Sequence, residues 1–142
     1  MPHSFDRPVC VPAPEAEGFG DLVMRTMEYD VGRYELRLYL QGEGFDYVRV
    51  SFKRVGAFRV MDERELTPFW ESGHHTKNGW LWEVKSGGWM DLEATRPGFA
   101  LPAIEPDLKE YLFVCDTCVS VLTPERPVVG DERGGALMSG AA

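Results

Sequence analysis

At 142 residues, 44% of them apolar and 27% charged, the chain is long enough to bury about 68% of the surface its unfolded form exposes, so folding requires neither a disulfide nor a metal. Four Trp, five Tyr and eight Phe favour strands over disorder. The net charge of −8 repels phosphate backbones and anionic membranes and sets nucleic acid and membrane surfaces aside as partners.

The acidity is uneven. Residues 30 to 64 hold seven Lys/Arg against six Asp/Glu, whereas residues 65 to 142 hold six against twelve. The first twenty residues lack a continuous apolar run and are interrupted by Pro2, Pro8, Pro12 and Pro14, so they do not read as a signal peptide. No later run approaches the roughly 18 apolar residues of a membrane span. With three Cys and no export signal, reduced thiols and a cytoplasmic location are expected. Residues 1–20 read as a Pro-rich tail, 21–122 as one β-rich domain, and 123–142, small and Gly-rich, as a second tail.

Leu22 to Tyr29 reads as a first strand and Asp30-Val31-Gly32 as a turn. In the next stretch, Tyr34, Leu36, Leu38 and Leu40 alternate with Glu35, Arg37, Tyr39 and Gln41; beyond Gly42-Glu43-Gly44, Val48, Val50 and Phe52 alternate with Tyr47, Arg49, Ser51 and Lys53. Closed by the three-residue Gly-Glu-Gly loop, this hairpin places Leu38 beside Val48, Leu36 beside Val50 and Tyr34 beside Phe52 on an apolar face. On the other face Tyr39 meets Tyr47 and Arg37 meets Arg49. A strand over Ala57 to Met61 extends the meander, and Asp62 with Glu65 resembles a capping box for a short helix over Glu63 to Trp70.

Residues 71 to 79 form a polar loop containing His74 and His75. Trp80, Trp82 and Val84 share one parity in a strand over Trp80 to Lys85, which Ser86-Gly87-Gly88 turns back into a strand over Trp89 to Ala94. That hairpin would send Trp89 outward and pair Glu83 with Asp91 on an acidic outer face near Glu93. Residues 95 to 104 read as a connection, Glu105 to Lys109 as a helical turn, and Tyr111 to Val114 and Val119 to Leu122 as strands around Cys115-Asp116-Thr117-Cys118. The expected class is mainly β, at the margin of α+β: an antiparallel meander of about seven or eight short strands forming a half-barrel or sandwich, with one or two helical turns.

Cys115 and Cys118 make half of a zinc site, and His74 and His75 are the available complement. Adjacent histidines on an extended loop point apart, and the motif lacks a second Cys pair, so no metal and no cofactor are expected. The cysteines instead read as small hydrophobes flanking a tight turn. A general base at His74 or His75 would need a nucleophile and an orienting group nearby, and the spacing of Glu71, Ser72 and Thr76 does not supply that convergence. The chain therefore reads as non-enzymatic.

Two surfaces stand out as interaction candidates: the face of Arg37, Tyr39, Tyr47 and Arg49, and Trp89, a large ring expected at the lip of a Gly-Gly turn. Either would serve a protein partner or self-association, unless the acidic second hairpin lies beside Arg37 and Arg49 within one sheet and neutralises them. In size, acidity and β content the chain resembles the small acidic immunity proteins with which bacteria block partner toxins. That likeness carries no motif and transfers no residue. The alternative is a small-molecule or metal-binding β domain with an aromatic pocket of Trp80, Trp82 and Tyr34, and His74, His75, Cys115 and Cys118 at its mouth.

Overall fold

The computed structural model describes residues 8–20, 22–42, 45–66 and 79–132. Among them, nine strands form two antiparallel sheets: β1 (Val9–Pro12), β2 (Leu22–Asp30), β3 (Glu35–Gly42), β4 (Phe45–Phe52), β5 (Ala57–Asp62), β6 (Leu81–Ser86), β7 (Lys109–Phe113), β8 (Thr117–Thr123) and β9 (Val128–Glu132). Two short helices, α1 (Trp89–Glu93) and α2 (Leu101–Ile104), and two 3-10 turns, Pro14–Ala16 and Glu63–Leu66, complete the described elements. The five-stranded sheet has the order β1-β6-β7-β8-β5 and the four-stranded sheet the order β2-β3-β4-β9; neither closes into a barrel.

The expected mainly β, antiparallel class is the observed one. The alternation in β3 and β4 drives Leu36, Leu38, Leu40, Val48, Val50 and Phe52 to complete burial. They share one apolar layer with Tyr111 and Phe113 of β7 and Val119 and Val121 of β8, so the two sheets face each other as a sandwich. The meander covers β2 to β4 only. After Phe52 the chain turns through Arg54, held in the left-handed region at φ 55°, and β5 crosses to the other sheet to pair with β8.

The β3–β4 register differs from the expected one by two positions. Leu36 pairs with Phe52, Leu38 with Val50 and Leu40 with Val48, while Gly42 pairs with Phe45, so one extra residue lies on the β4 side. That bulge, not a three-residue loop, sets the pairing. A shift of two keeps every side chain on its face; a shift of one would have inverted them. Tyr39 consequently pairs with Arg49 and Arg37 with Ser51. Tyr34 is not in the core: it lies in the β2–β3 turn at φ 55° and is 61% exposed.

The stretches read as tails both contribute strands. Val9 to Pro12 pairs at the edge of the five-stranded sheet, where Pro12 costs no inner ladder bond, and Val128 to Glu132 pairs with β4. The sheets therefore extend beyond residues 21–122.

The second hairpin is absent, because residues 89 to 93 are helical and β6 pairs with β1 and β7 instead. Glu110 of β7, buried on the outer face of the five-stranded sheet, accepts the backbone N–H groups of Trp89 and Met90, each at 2.9 Å. Burial pushes its carboxyl above the ordinary range, against the effect of those two bonds and of Arg59. A Cβ on Gly88 would lie 2.6 Å from Val84 and 2.7 Å from Glu110, so only glycine lets α1 seat this closely. Trp80 and Trp82 do not share a face. Trp80, in the bend before β6, packs in the inter-sheet layer, and Trp82 lies on the opposite face with Cys10, Val84, Leu112 and Cys118.

Of the helix expected over Glu63 to Trp70, the 3-10 turn Glu63–Leu66 is observed and residues 67–70 lie outside the described set. Asp62 accepts the N–H of Arg64 at 2.8 Å, one residue short of a capping box. The helical turn expected at 105 to 109 falls instead on Leu101–Ile104, with Pro102 in its first turn.

Arg126 ties the N-terminal segment to the sandwich. Its Nη1 donates to Glu83 at 2.9 Å, its Nη2 to Glu15 at 3.0 Å, and the guanidinium lies 5.6 Å from the centre of the Tyr111 ring. The bond from Arg126 lowers the Glu15 carboxyl. Burial opposes the charge of Glu83, yet Lys85 and Arg126 bring its carboxyl below the ordinary value too.

Two predictions follow from this packing. Val50→Asp, which buries an unpaired charge in the inter-sheet layer, is expected to abolish the cooperative thermal transition seen by circular dichroism. Arg126→Met is expected to destabilise the protein at pH 7 by about 1 kcal/mol in urea titrations, an amount discounted for the partial exposure of Arg126. Depressed carboxyls stabilise above their unfolded value near 4.5 and lose that contribution as pH falls through the folded value. The difference between Arg126→Met and wild type should therefore shrink below that pH.

Candidate functional site

With Leu36, Leu38 and Leu40 of β3 and Val48, Val50 and Phe52 of β4 committed to the interior, the residues that alternate with them, Arg37, Tyr39, Tyr47, Arg49 and Ser51, stand on the outer face of the four-stranded sheet. Arg37 and Tyr39 from β3, Arg49 and Ser51 from β4, Glu28 from β2 and Val128 from β9 meet there. With Arg33, Glu35 and Lys53 they line a shallow concavity of about 500 Å³. Pairing of Glu28 with Arg37, Tyr39 with Arg49 and Ser51 with Val128 fixes their order across the sheet.

The centre of this face is a carboxylate held by a guanidinium and a phenol. Arg37 Nε donates to Glu28 Oε1 at 2.8 Å, its Nη2 forms an ion pair with the same oxygen at 2.8 Å, and the Tyr39 hydroxyl donates to that oxygen at 3.1 Å. Arg37 Nη1 lies 3.2 Å from Glu35, and Nη2 lies 3.8 Å from Asp30. The bonds from Arg37 and then Tyr39 hold the Glu28 carboxyl below its usual range. Partial burial opposes the charge of Arg37, but Glu28 and Glu35 more than offset it and raise its pKa. Burial, followed by Glu28, raises the Tyr39 phenol.

The structure thus brings together Arg37, Tyr39 and Arg49. Tyr47 occupies the same parity but does not line the concavity, and it pairs with Glu132 of β9, not with Tyr39. Trp89 lies on the opposite side of the sandwich. It is the first residue of α1, partly covered, with the Arg59 guanidinium 5.1 Å from its ring centre. The acidic face expected near it does not form: Glu83 bonds Lys85 and Arg126, Asp91 accepts the N–H of Gly87, and Glu93 pairs with Arg96. Nor does an acidic hairpin neutralise Arg37, because Glu83 belongs to the other sheet and Asp91 and Glu93 are helical; the acids that pair with Arg37 are Glu28, Asp30 and Glu35.

Glu28, Asp30, Glu35, Arg33, Ser51, Lys53 and Val128 were not singled out by sequence. The signal for Glu28 was the β2–β3 turn: closing it so that Asp30 pairs with Glu35 carries Glu28 opposite Arg37. Val128 carried no such signal, because its neighbour β4 is some eighty residues earlier in the chain.

The remaining candidates do not converge. Cys118 is buried on the outer face of the five-stranded sheet and donates to the carbonyl of Cys115 at 3.2 Å; burial pushes its thiol up to about 11. Cys115, half-buried in the β7–β8 turn, donates to the carbonyl of Thr117 at 3.1 Å. His74 and His75 lie outside the described residues. Among the described residues, no group of three or more His, Cys, Asp or Glu side chains is placed to hold a metal ion. The residues of the expected aromatic pocket are dispersed. Trp80 lines a second concavity of about 730 Å³ beside Pro12, Ala13 and Pro14, Trp82 is on the other face of its sheet, and Tyr34 is in a distant turn.

Comparisons of the chain with protein-family models, curated proteins and solved structures give no match.

The thiols supply a direct check on these placements. Burial raises Cys10 to about 12 and Cys118 to about 11, so both should resist iodoacetamide at pH 8 in the native protein and react only in denaturant. Cys115 should be the first residue labelled, as read by peptide mass spectrometry.

Proposed function

We propose that this chain is a non-enzymatic protein-binding module whose contact surface is the outer face of the four-stranded sheet. The observation that carries the reading is the concavity around Arg37, Tyr39 and Arg49. It presents a phenol, guanidinium groups and the exposed Val128 on one rigid sheet, the combination of aromatic, Arg and apolar contacts that concentrates binding energy in protein interfaces. The wide central strands hold these groups in place, so little side-chain order has to be gained on association.

No helix among the described residues is long and apolar enough to cross a membrane. We place the module in the cytoplasm on the grounds of its three free cysteines. An immunity-type role, in which the module masks another protein, is one form this function can take. The resemblance in size, charge and β content supports that form alone.

Affinity capture from the native host tests the reading, with wild type and an Arg49→Glu/Lys53→Glu variant as parallel baits. The expected result is a protein retained by wild type and lost by the variant, reproduced with purified components, while the variant keeps a thermal midpoint within about 4 °C of wild type. Identical retention by two folded baits would show that this face is not the contact surface.

A further inference from the structure

The charges lining the outer face of the four-stranded sheet run against those of the chain. Among its described lining residues, four are cationic (Arg33, Arg37, Arg49 and Lys53) and two anionic (Glu28 and Glu35), with Asp30 at the rim between Arg33 and Arg37, on a chain whose net charge is −8. Cations gathered in a concavity raise the local concentration of anionic ligands and repel basic ones. That balance suits an acidic ligand over a basic one. A nucleic acid would need a basic footprint extending well past one shallow pocket, and the surrounding acidity of the chain opposes it.

The geometry of Glu28 shows what kind of anion fits. One carboxylate oxygen takes an N–H bond from Arg37 Nε, the ion-pair contact of Nη2 and an O–H bond from Tyr39, so a guanidinium and a phenol converge on a carboxylate position at the centre of the face. Glu28 comes from β2, an edge strand of the sheet, and its side chain is 55% exposed, so a rotamer change is enough to clear the position beside Arg37 and Tyr39. Arg37 is not left bare when that happens, because Glu35, only 15% exposed, stays at 3.2 Å. We infer that the partner presents a short run of Asp or Glu side chains to this face, and that Glu28 occupies the receiving position until the partner's carboxylate displaces it. This inference rests on the interaction reading above.

Fluorescence anisotropy with labelled hexaglutamate, at low salt and pH 7, tests it. Glu28→Gln keeps the shape of the side chain but loses the competing charge, and it is expected to bind hexaglutamate about two- to fivefold more tightly than wild type. Asp30→Asn, which removes the same charge from the rim, should gain less. Arg33→Glu/Lys53→Glu should bind at least about fivefold more weakly, and added salt should weaken every complex. Circular dichroism confirms that each variant is folded. Equal gains from Glu28→Gln and Asp30→Asn, or no gain from Glu28→Gln, would overturn the displacement. Hexaglutamine binding as well as hexaglutamate, or a short oligothymidylate binding more tightly than either, would overturn the carboxylate assignment. Differential capture by the Arg49→Glu/Lys53→Glu bait reads the face whatever the ligand's charge. A failed peptide experiment beside a positive capture therefore removes this inference and leaves the interaction reading in place.

Discussion

The apolar layer between the sheets determines everything else in this molecule. Leu36, Leu38, Leu40, Val48, Val50 and Phe52 are wholly excluded from water, and so are Tyr111, Phe113, Val119 and Val121 opposite them. Each buried Leu, Val or Phe stabilises by about 1.5–3 kcal/mol relative to its exposed state, so a register that exposed this set would forfeit more than the few kcal/mol by which a domain is stable. Strand parity does the rest. Once these side chains point inward, Arg37, Tyr39, Arg49 and Ser51 must point outward, and the candidate site is a geometric consequence of the core.

The five-stranded sheet faces a different constraint, because its outer surface is also apolar. Trp82, Val84, Leu112 and Cys118 lie there and need a cover, which α1 helps to supply. Its attachment depends on Glu110, a carboxylate set among apolar side chains that answers the first N–H groups of the helix, and on Gly88, which leaves room for it. Burying a charge is expensive unless it is hydrogen-bonded, and the two N–H bonds from α1 are what Glu110 receives in exchange. The sheet and its covering helix thus satisfy each other's polar groups, an arrangement that neither the period of β6 nor the sequence of α1 displays alone.

Legibility in the sequence followed the range of the interactions. The inner and outer faces of β3 and β4 were readable because alternation is local, and a register error of two positions left them unchanged. The β7–β8 turn around Cys115 was readable for the same reason. Residues 80 to 94 were misread because Ser86-Gly87-Gly88 suits a hairpin turn by composition, while Gly88 serves close packing against Val84 and Glu110, the latter more than twenty positions away. The strands in the supposed tails were missed because Val9–Pro12 and Val128–Glu132 are short and proline-flanked and acquire strand character only by pairing with distant edges. The shared outward face of Arg37, Tyr39 and Arg49 was readable from the alternation, but the carboxylates that hold Arg37 needed the β2–β3 register.

Stability and the proposed recognition are consequently drawn from different sides of the same strands. The inward side chains of β3 and β4 supply burial that no partner can alter. Of the ion pairs that the outward Arg37 makes, the one with Glu28 has an anion 55% exposed, where salt and solvent compete for it. Arg37 illustrates the division. Its stem lies on the sheet with only 17% of the side chain exposed, so the guanidinium stays where β3 puts it, whereas Glu28 above it projects into solvent. A fixed cation beneath an exchangeable anion lets the face accept another acidic group without disturbing the fold that holds it.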